Sequence, residues 1–434
     1  MDKLSILLKE LNTLPRGYIS KKTISGKTYY YHQFKLNGQN VSKYIKPAEL
    51  SALTEKIERR KEIENEIKRI ESSGRNITAP ATRAMDLTGS LMMADRVVAT
   101  FEKGLPVFID PVRCPLLIKR TGNLRAFLAS RAIDRSRTHS RLLKKYLQIK
   151  TDDDAIVSIY SYGATITDNY WFKAKGSKLK YEDITFDYDY YSDLALKGDA
   201  GYIPRSPKFS PQLTLTGSYE KCWKNIDGEW YLYKQGSDNE YFSEMFCSKL
   251  AKMLGVPSAQ YELIDGYIRT KNIAEKYNLE PISSIAGDDD SFENVFNSIY
   301  SISPELSIQY LRLILFDYII YNVDRHNENC GLMRSRKSGK IMSLAPNYDN
   351  NIALLGATSN LTFNPKRDGM ITYLMNFLKH NEEAAKLIKE VSFNTIYRKS
   401  LQTIFDSIKI KVNEDQVAEY VLARYQYIME LIKR

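Results

Sequence analysis

The chain has 434 residues and a mass of 50.1 kDa, with 43% hydrophobic and 26% charged residues. This globular composition excludes a disordered or fibrous protein, and the length fits two or three domains. Its 63 basic residues against 52 acidic ones give a net charge of +11, which favours polyanionic partners without choosing among nucleic acid, nucleotides and acidic proteins.

The first ten residues are charged and lack the apolar core of a signal peptide. No apolar run approaches the ~18–20 residues of a membrane helix; the strongest, 313–321, is broken by Asp317. Cys114, Cys222, Cys247 and Cys330 stand far apart with no CxxC spacing, which excludes a disulfide scaffold and a thiolate zinc site. A soluble, cytoplasmic protein without membrane contact is the expectation.

Residues 17–44 are rich in Tyr, Thr and Val. Ser25-Gly26 and Asn37-Gly38 divide them into three short runs, which predicts a three-stranded antiparallel sheet. Pro47 opens a long helix to about residue 72, ended by Ser73-Gly74. Its apolar stripe runs Leu50, Leu53, Ile57, Ile63, Ile67 and Ile70, and skips a step between Ile57 and Ile63. Residues 1–80 hold 16 basic and 9 acidic residues, so this unit reads as a small sheet plus a long basic helix that binds nucleic acid or a partner.

Residues 81–195 read as an α/β accessory region. It holds an Arg-rich helical run over 123–147, in which Leu124, Phe127, Leu128 and Ile133 recur at helical spacing while Arg125, Arg131, Arg135 and Arg141 point elsewhere. From 181 to 191 acidic and aromatic residues alternate, as in a loop or an edge strand.

The remainder, 196–434, carries the chemistry. In TLTGSYEKCWKNIDGEWYLYK, Asp227-Gly228 separates two aromatic runs, a hairpin signal. Gly217-Ser218 precede the first strand, where a loop can fold over phosphates. In the second strand Trp230, Leu232 and Lys234 share a face by period-two alternation. A lysine that continues an inward face calls for an anionic partner, because burying an unpaired ammonium is costly. The following helix, 239–254, ends at Gly255 and carries Phe242, Phe246, Leu250 and Met253 on one stripe. Glu244 lies about 160° from that stripe at ~100° per residue. The placement also suits a solvated glutamate, but the small residues Ser248 and Ala251 share its face and allow close approach to the Lys234 strand, so Glu244 is the expected partner of Lys234 and Glu240 the fallback acid.

Farther on, Ser303 and Pro304 read as the N-cap and first position of a helix with Leu311, Ile314, Leu315, Tyr318 and Ile319 on one side. It runs into NVDRHNENCGL. Asp324 and Asn329 stand five apart, as do the catalytic-loop Asp and the magnesium-binding Asn of phosphoryl-transfer enzymes. Alone the pair is weak, since a polar turn after a helix accounts for it. Two strand-like runs, 331–334 and 340–343, predict a hairpin that returns the chain and sets Asp349 beside Asn329. Two oxygen ligands so placed can hold Mg²⁺ against ATP phosphates. The order glycine loop, strand lysine, helix glutamate, Asp-x4-Asn, hairpin and metal aspartate is that of a protein-kinase-like phosphotransferase.

At these residues the chain resembles the HipA-like serine/threonine kinases, a bacterial family with toxin–antitoxin members. The segment FDYIIYNVDRHNEN is similar to the family signature, filled here by Asp317, Asn322, Asp324, Arg325, His326 and Asn329. The histidine follows the aspartate, whereas it precedes it in typical eukaryotic kinases. The resemblance covers about 200–434. It implies an α+β, two-lobed kinase-like fold, with a small antiparallel-sheet lobe and a mainly helical C-terminal lobe. It further implies Asp324 as catalytic base with Lys234 and Glu244, and Asn329 and Asp349 as Mg²⁺ ligands. Gly217, Ser218, Lys234 and His326 form the implied nucleotide-binding group. ATP and Mg²⁺ are the implied cofactors, a protein Ser/Thr hydroxyl the acceptor, and an antitoxin a candidate partner. Autophosphorylation in the phosphate loop would fall on Thr214, Thr216 or Ser218. Residues 1–195 do not match the family's usual N-terminal subdomain.

Two other readings stand beside this one. Aminoglycoside-type phosphotransferases use the same Asp-to-Asn spacing, but favour H-x-D over D-R-H and an acidic pocket. A nucleic-acid-binding regulator would use the Tyr- and Lys-rich sheet at 17–44 and the Arg-rich run at 123–147, although exposed strand lysines also serve merely to discourage edge pairing.

Overall fold

A computed structural model describes residues 3–36, 39–71, 77, 80–199, 204 and 206–433. The expected Asn37-Gly38 turn and the Ser73-Gly74 helix end lie outside the described residues.

A first helix, α1 (Lys3–Thr13), precedes three antiparallel strands, β1 (Tyr18–Ile24), β2 (Lys27–Leu36) and β3 (Gln39–Ile45), paired in the order β1-β2-β3. A helix α2 (Pro47–Glu71) follows. The α1 helix was not legible in the sequence. It packs Leu7 and Leu11 against Ile63 and Ile67 of α2. Arg60 fills the step that the apolar stripe skips: it is buried, and Nη1 donates to the carbonyls of Leu11 (2.8 Å) and Leu14 (2.9 Å) at the end of α1. These are carbonyls that the end of a helix leaves without intrahelical partners. The expectation of a basic helix is corrected here. Over its length α2 has six basic and seven acidic residues, and Arg59 and Arg60 are paired with Glu10 and Glu64.

The accessory region holds a second sheet, β4 (Gly89–Met93), β5 (Arg96–Glu102), β6 (Leu105–Phe108) and β7 (Tyr170–Ala174), in the order β6-β5-β4-β7. Leu91, Val98, Phe101 and Phe172 pack against Ile118, Leu124, Phe127 and Leu128 from short helices. The single Arg-rich helix expected over 123–147 is two short helices, Leu124–Ala129 and Ser140–Tyr146. Its arginines do not form a free basic face. Arg131 and Arg137 are buried, Arg131 against Asp168, and Arg125 and Arg135 pair with Asp153 and Asp154. Asp168 offsets the burial of the Arg131 guanidinium, whereas Arg137 donates through Nη2 to the Ala195 and Lys221 carbonyls and leaves Nε and Nη1 without a partner among the described residues. Residues 181–191 form a short 3-10 turn, Tyr181–Asp183, and a loop rather than an edge strand.

A third sheet orders as β10-β11-β9-β8, from β8 (Lys221–Ile226), β9 (Glu229–Lys234), β10 (Tyr261–Ile264) and β11 (Tyr267–Lys271). Asp227 (φ 56°) and Gly228 (φ 89°) make the β8–β9 turn in the left-handed region that a two-residue hairpin needs. Helix α3 (Asp238–Leu254) follows, capped by Ser237 and ended by left-handed Gly255. Behind it stand β12 (Tyr277–Pro281), β13 (Gly331–Ser335) and β14 (Ile341–Leu344), a three-stranded sheet, and helices α4 (Pro304–Ile320) and α5 (Glu414–Lys433).

The α4 helix differs from the one-sided stripe expected. Leu306, Tyr310, Leu313, Phe316 and Ile320 are buried as well, so it is apolar on all sides, as a central helix must be. Phe242 and Phe246 of α3 and Val417, Val421 and Ile428 of α5 belong to the same core. The accessory region is tied to this body by a buried pair. Arg334 of β13 binds Glu280 of β12, and Glu280 also accepts from Leu116 N (2.6 Å) and Tyr170 Oη (3.0 Å). Among the described residues no helix is long and apolar enough to cross a membrane.

Candidate active site

Lys234, at the end of β9, is buried, with 9% of its surface exposed. Its Nζ lies 2.7 Å from Asp349 Oδ1 and 3.5 Å from Glu244 Oε1. Asp349 is therefore its first partner, ahead of the helix glutamate that the sequence reading favoured. Glu244 is not solvated. It is 1% exposed on α3, and its second oxygen accepts the Asn350 amide. Burial raises the Glu244 carboxyl above its ordinary range, whereas the two lysines beside Asp349 hold that carboxyl below its own despite burial. Glu240 is engaged elsewhere: it caps the start of α3 through Ser237 and accepts from Tyr219 Oη at 2.6 Å.

Asp349 adopts a left-handed backbone (φ 62°), and its N–H donates to Tyr261 Oη at 3.2 Å. For a non-glycine residue this is a strained conformation.

Arg325 ties the segment that carries Asn329 to the one that carries Tyr348 and Asn350. Nε and Nη2 donate to the two oxygens of Asp317 on α4, both at 2.9 Å. Nη1 donates to the carbonyls of Asn329 and Tyr348 (2.9 Å for the latter), and Nη2 also reaches Asn347 Oδ1 (2.6 Å) and Asn350 Oδ1 (3.1 Å). One guanidinium thus holds both ends of the β13–β14 hairpin. Asp317 also accepts from Asn322 Nδ2 (2.9 Å), and Asn322 Oδ1 accepts from Asp324 N (3.1 Å). The signature residues therefore build one network around a buried ion pair.

Asp324 is partly exposed. Burial and the neighbouring Asp349 raise its carboxyl above the usual range, with His326 opposing. Asn329 is buried, and its Nδ2 donates to the Asp324 carbonyl at 3.1 Å. His326 Nδ1 accepts from Glu328 N (3.2 Å), which braces the loop.

The first residue of β8 joins the site without having been singled out in the sequence. Lys221 stands opposite Lys234 in the β8–β9 register and is buried. Burial, then Lys234, pushes its ammonium down to about 8. Gly217 (φ 84°) lies over it, where an added Cβ would sit 2.8 Å from Lys221 Nζ. Ser218 and Thr216 are exposed, while Thr214 is buried and donates to the Pro211 carbonyl at 2.8 Å. Tyr219, Lys221, Lys234, Glu240, Glu244 and Asp349 line one cleft. Lys221 and Trp223 share a face of the first strand by the same period-two alternation, which is the sequence signal for this second lysine.

With this geometry described, comparison with known proteins places the fold. Residues 206–415 match the family described as the HipA-like C-terminal domain. Residues 2–59 match a domain of unknown function, DUF6788. Among solved structures, a chain of the Shewanella oneidensis MR-1 toxin–antitoxin complex of HipA, HipB and operator DNA is similar over 80% of this chain and 97% of that one, with 13% identity and a TM-score of 0.50. A Helicobacter pylori proinflammatory kinase, CtkA, matches over 49% of this chain and 92% of its own, with 15% identity and a TM-score of 0.39. No curated protein matches.

Proposed function

We propose that the protein is an ATP- and Mg²⁺-dependent kinase that transfers a phosphoryl group to a Ser or Thr hydroxyl of a protein. The observation that carries this reading is the buried Lys234, held by Asp349 and Glu244, with Gly217 packed over Lys221, its neighbour across the strand pair. A buried ammonium with two acidic neighbours and a second lysine opposite is a site suited to a polyanion. On this reading the β8–β11 sheet with α3 is the small lobe of a kinase-like fold, and the helices around α4 are the large one.

The residues fit Mg²⁺. Among the described residues no three His, Cys, Asp or Glu side chains cluster as a metal site. A cation here would rest on hard oxygens from Asp349 and Asn329, and Mg²⁺ commonly takes one or two protein ligands of this kind. The lysines keep Asp349 ionised, and Asn329 commits its Nδ2 to a carbonyl, which leaves Oδ1 as the ligand atom. Bound Mg-ATP supplies the phosphoryl donor and the counter-charge for transfer.

The chain's own residues do the rest. Lys234 and Lys221 bind and orient phosphate oxygens, and Gly217 and Ser218 cover them. Asp324 accepts the proton of the acceptor hydroxyl at its carboxylate, and its raised proton affinity makes it a better base than a free aspartate. His326 and Arg325 hold the loop that aims it. Within the phosphate loop, exposed Thr216 and Ser218 are better placed for autophosphorylation than buried Thr214.

The test is incubation with Mg-ATP followed by intact-mass analysis, alongside labelled ATP offered to cell lysate and to small-molecule acceptors. A mass gain of about 80 Da per phosphoryl group, or labelled lysate protein, supports the reading. Transfer to small molecules alone overturns the protein acceptor.

A further inference from the structure

The N-terminal sheet does not take part in the cleft, and its composition is unlike the rest of the chain. Between Glu10 and Glu49 there are seven basic residues and no acidic one. The adjoining helix α2 is balanced in charge, so the positive surplus belongs to the sheet and the turn leading into it. Register places the side chains. Tyr31 pairs with Ser20 on β1 and Tyr44 on β3, and Tyr29 pairs with Lys22. By period-two alternation Lys22, Lys27, Tyr29, Tyr31, Lys35 and Tyr44 share one face.

On that face Tyr31 and Tyr44 meet edge to face at 5.9 Å between ring centres, and Tyr29 and Tyr44 lie 6.2 Å apart. Lys22 Nζ sits 5.4 Å from the Tyr31 ring centre. The face is open: Tyr44 is 47% exposed, and Lys22, Lys27 and Lys35 are exposed. The apolar core of this region lies elsewhere, between α1 and α2.

From these observations we infer that this face is a binding site for single-stranded nucleic acid, an activity separate from phosphoryl transfer. Aromatic rings presented among unpaired lysines offer stacking surfaces for bases and cations for the intervening phosphates. The absence of any acid along the stretch makes the face complementary to a polyanion over its whole width. Stacking selects an unpaired strand, because bases within a duplex present only their edges.

The test uses the full chain and fluorescein-labelled 20-mers of one mixed sequence, as single-stranded DNA, single-stranded RNA and duplex, read by anisotropy. Single strands are expected to bind more tightly than duplex. Affinity should fall by about 18-fold from 50 to 200 mM salt if three phosphates are contacted at a slope of about −0.7 each. Lys22→Glu with Lys27→Glu and Lys35→Glu should weaken binding at least tenfold and flatten the salt slope. Tyr44→Leu should weaken single-strand binding about fivefold or more while leaving the slope unchanged. The same charge reversal at Lys409 and Lys411, exposed on the opposite end of the sequence, should alter binding less than twofold, and circular dichroism melts confirm that each variant is folded. A tenfold preference for RNA or for DNA identifies which strand is the ligand. No binding at 50 mM salt, duplex binding as tight as single-strand binding, or indifference to the sheet variants overturns the proposal.

Discussion

The sheets β1–β3 and β8–β11 are built from similar residues and use them differently. Both are antiparallel and rich in Tyr and Lys. In β8–β11 the lysines that matter are buried: Lys234 sits between two carboxylates and Lys221 opposite it. In β1–β3, Lys22, Lys27 and Lys35 stand in solvent. The difference comes from what covers each sheet. Trp223, Trp230 and Leu232 of the inner sheet pack with Leu215 and Ile166, and α3 closes over the end that carries Lys234. The apolar contacts of the N-terminal region instead fall between its two helices. A lysine in a strand is thus an anchor where a carboxylate can be buried with it, and a solvated charge where none is near.

Substitutions can break or sharpen this contrast. The largest effect is expected in the cleft. Asp324→Asn should lower phosphoryl transfer by about 10³-fold or more, since it removes the proton acceptor, while shifting the melting temperature little because the side chain is partly exposed. Labelled-ATP transfer and a thermal melt measure the two quantities. Next, Lys234→Met should cost about 3–5 kcal/mol of stability by leaving Asp349 and Glu244 buried without their cation, as read in urea unfolding. A stability unchanged by that substitution would remove the buried-anchor account.

The Lys221 ammonium, held down to about 8, should give two opposite signs over one pH interval. It is disfavoured in the folded protein, so the free protein gains stability as pH rises from about 8 towards the ordinary 10.5. Nucleotide affinity should fall over the same interval as the cation is lost, and Lys221→Arg should flatten that fall. Titration calorimetry at pH 7, 8 and 9 reads it. The smallest effect belongs to the outer sheet, where Lys22→Met should change stability by no more than about 0.5 kcal/mol.

What the sequence made legible follows the same division. Hairpins with Asp-Gly or Ser-Gly turns, the Gly255 helix end and the Ser303-Pro304 start were readable because local chemistry decides them. The β13–β14 hairpin between Asn329 and Asp349 was readable because two short strand-like runs flank a polar, glycine-containing turn. What depends on distant packing was not. Helix α1 packs on α2 through Leu7 and Leu11, and in the Arg-rich run Arg131 and Arg137 turn inward to Asp168 and to the Lys221 carbonyl. The Lys234–Asp349 contact joins residues 115 apart, beyond any periodicity argument. The approach of Glu244 to Lys234 was partly legible, because the small residues Ser248 and Ala251 share its helical face and leave room for the strand.

Arg325 has a consequence for how the cleft responds to alkali. Its guanidinium is held charged by Asp317, well above the already high arginine range, in spite of burial. The brace beneath Asn329 and Asp349 therefore keeps its charge throughout the interval in which Lys221 loses its own. An alkaline loss of nucleotide affinity would then trace to Lys221 and leave the Arg325 network in place.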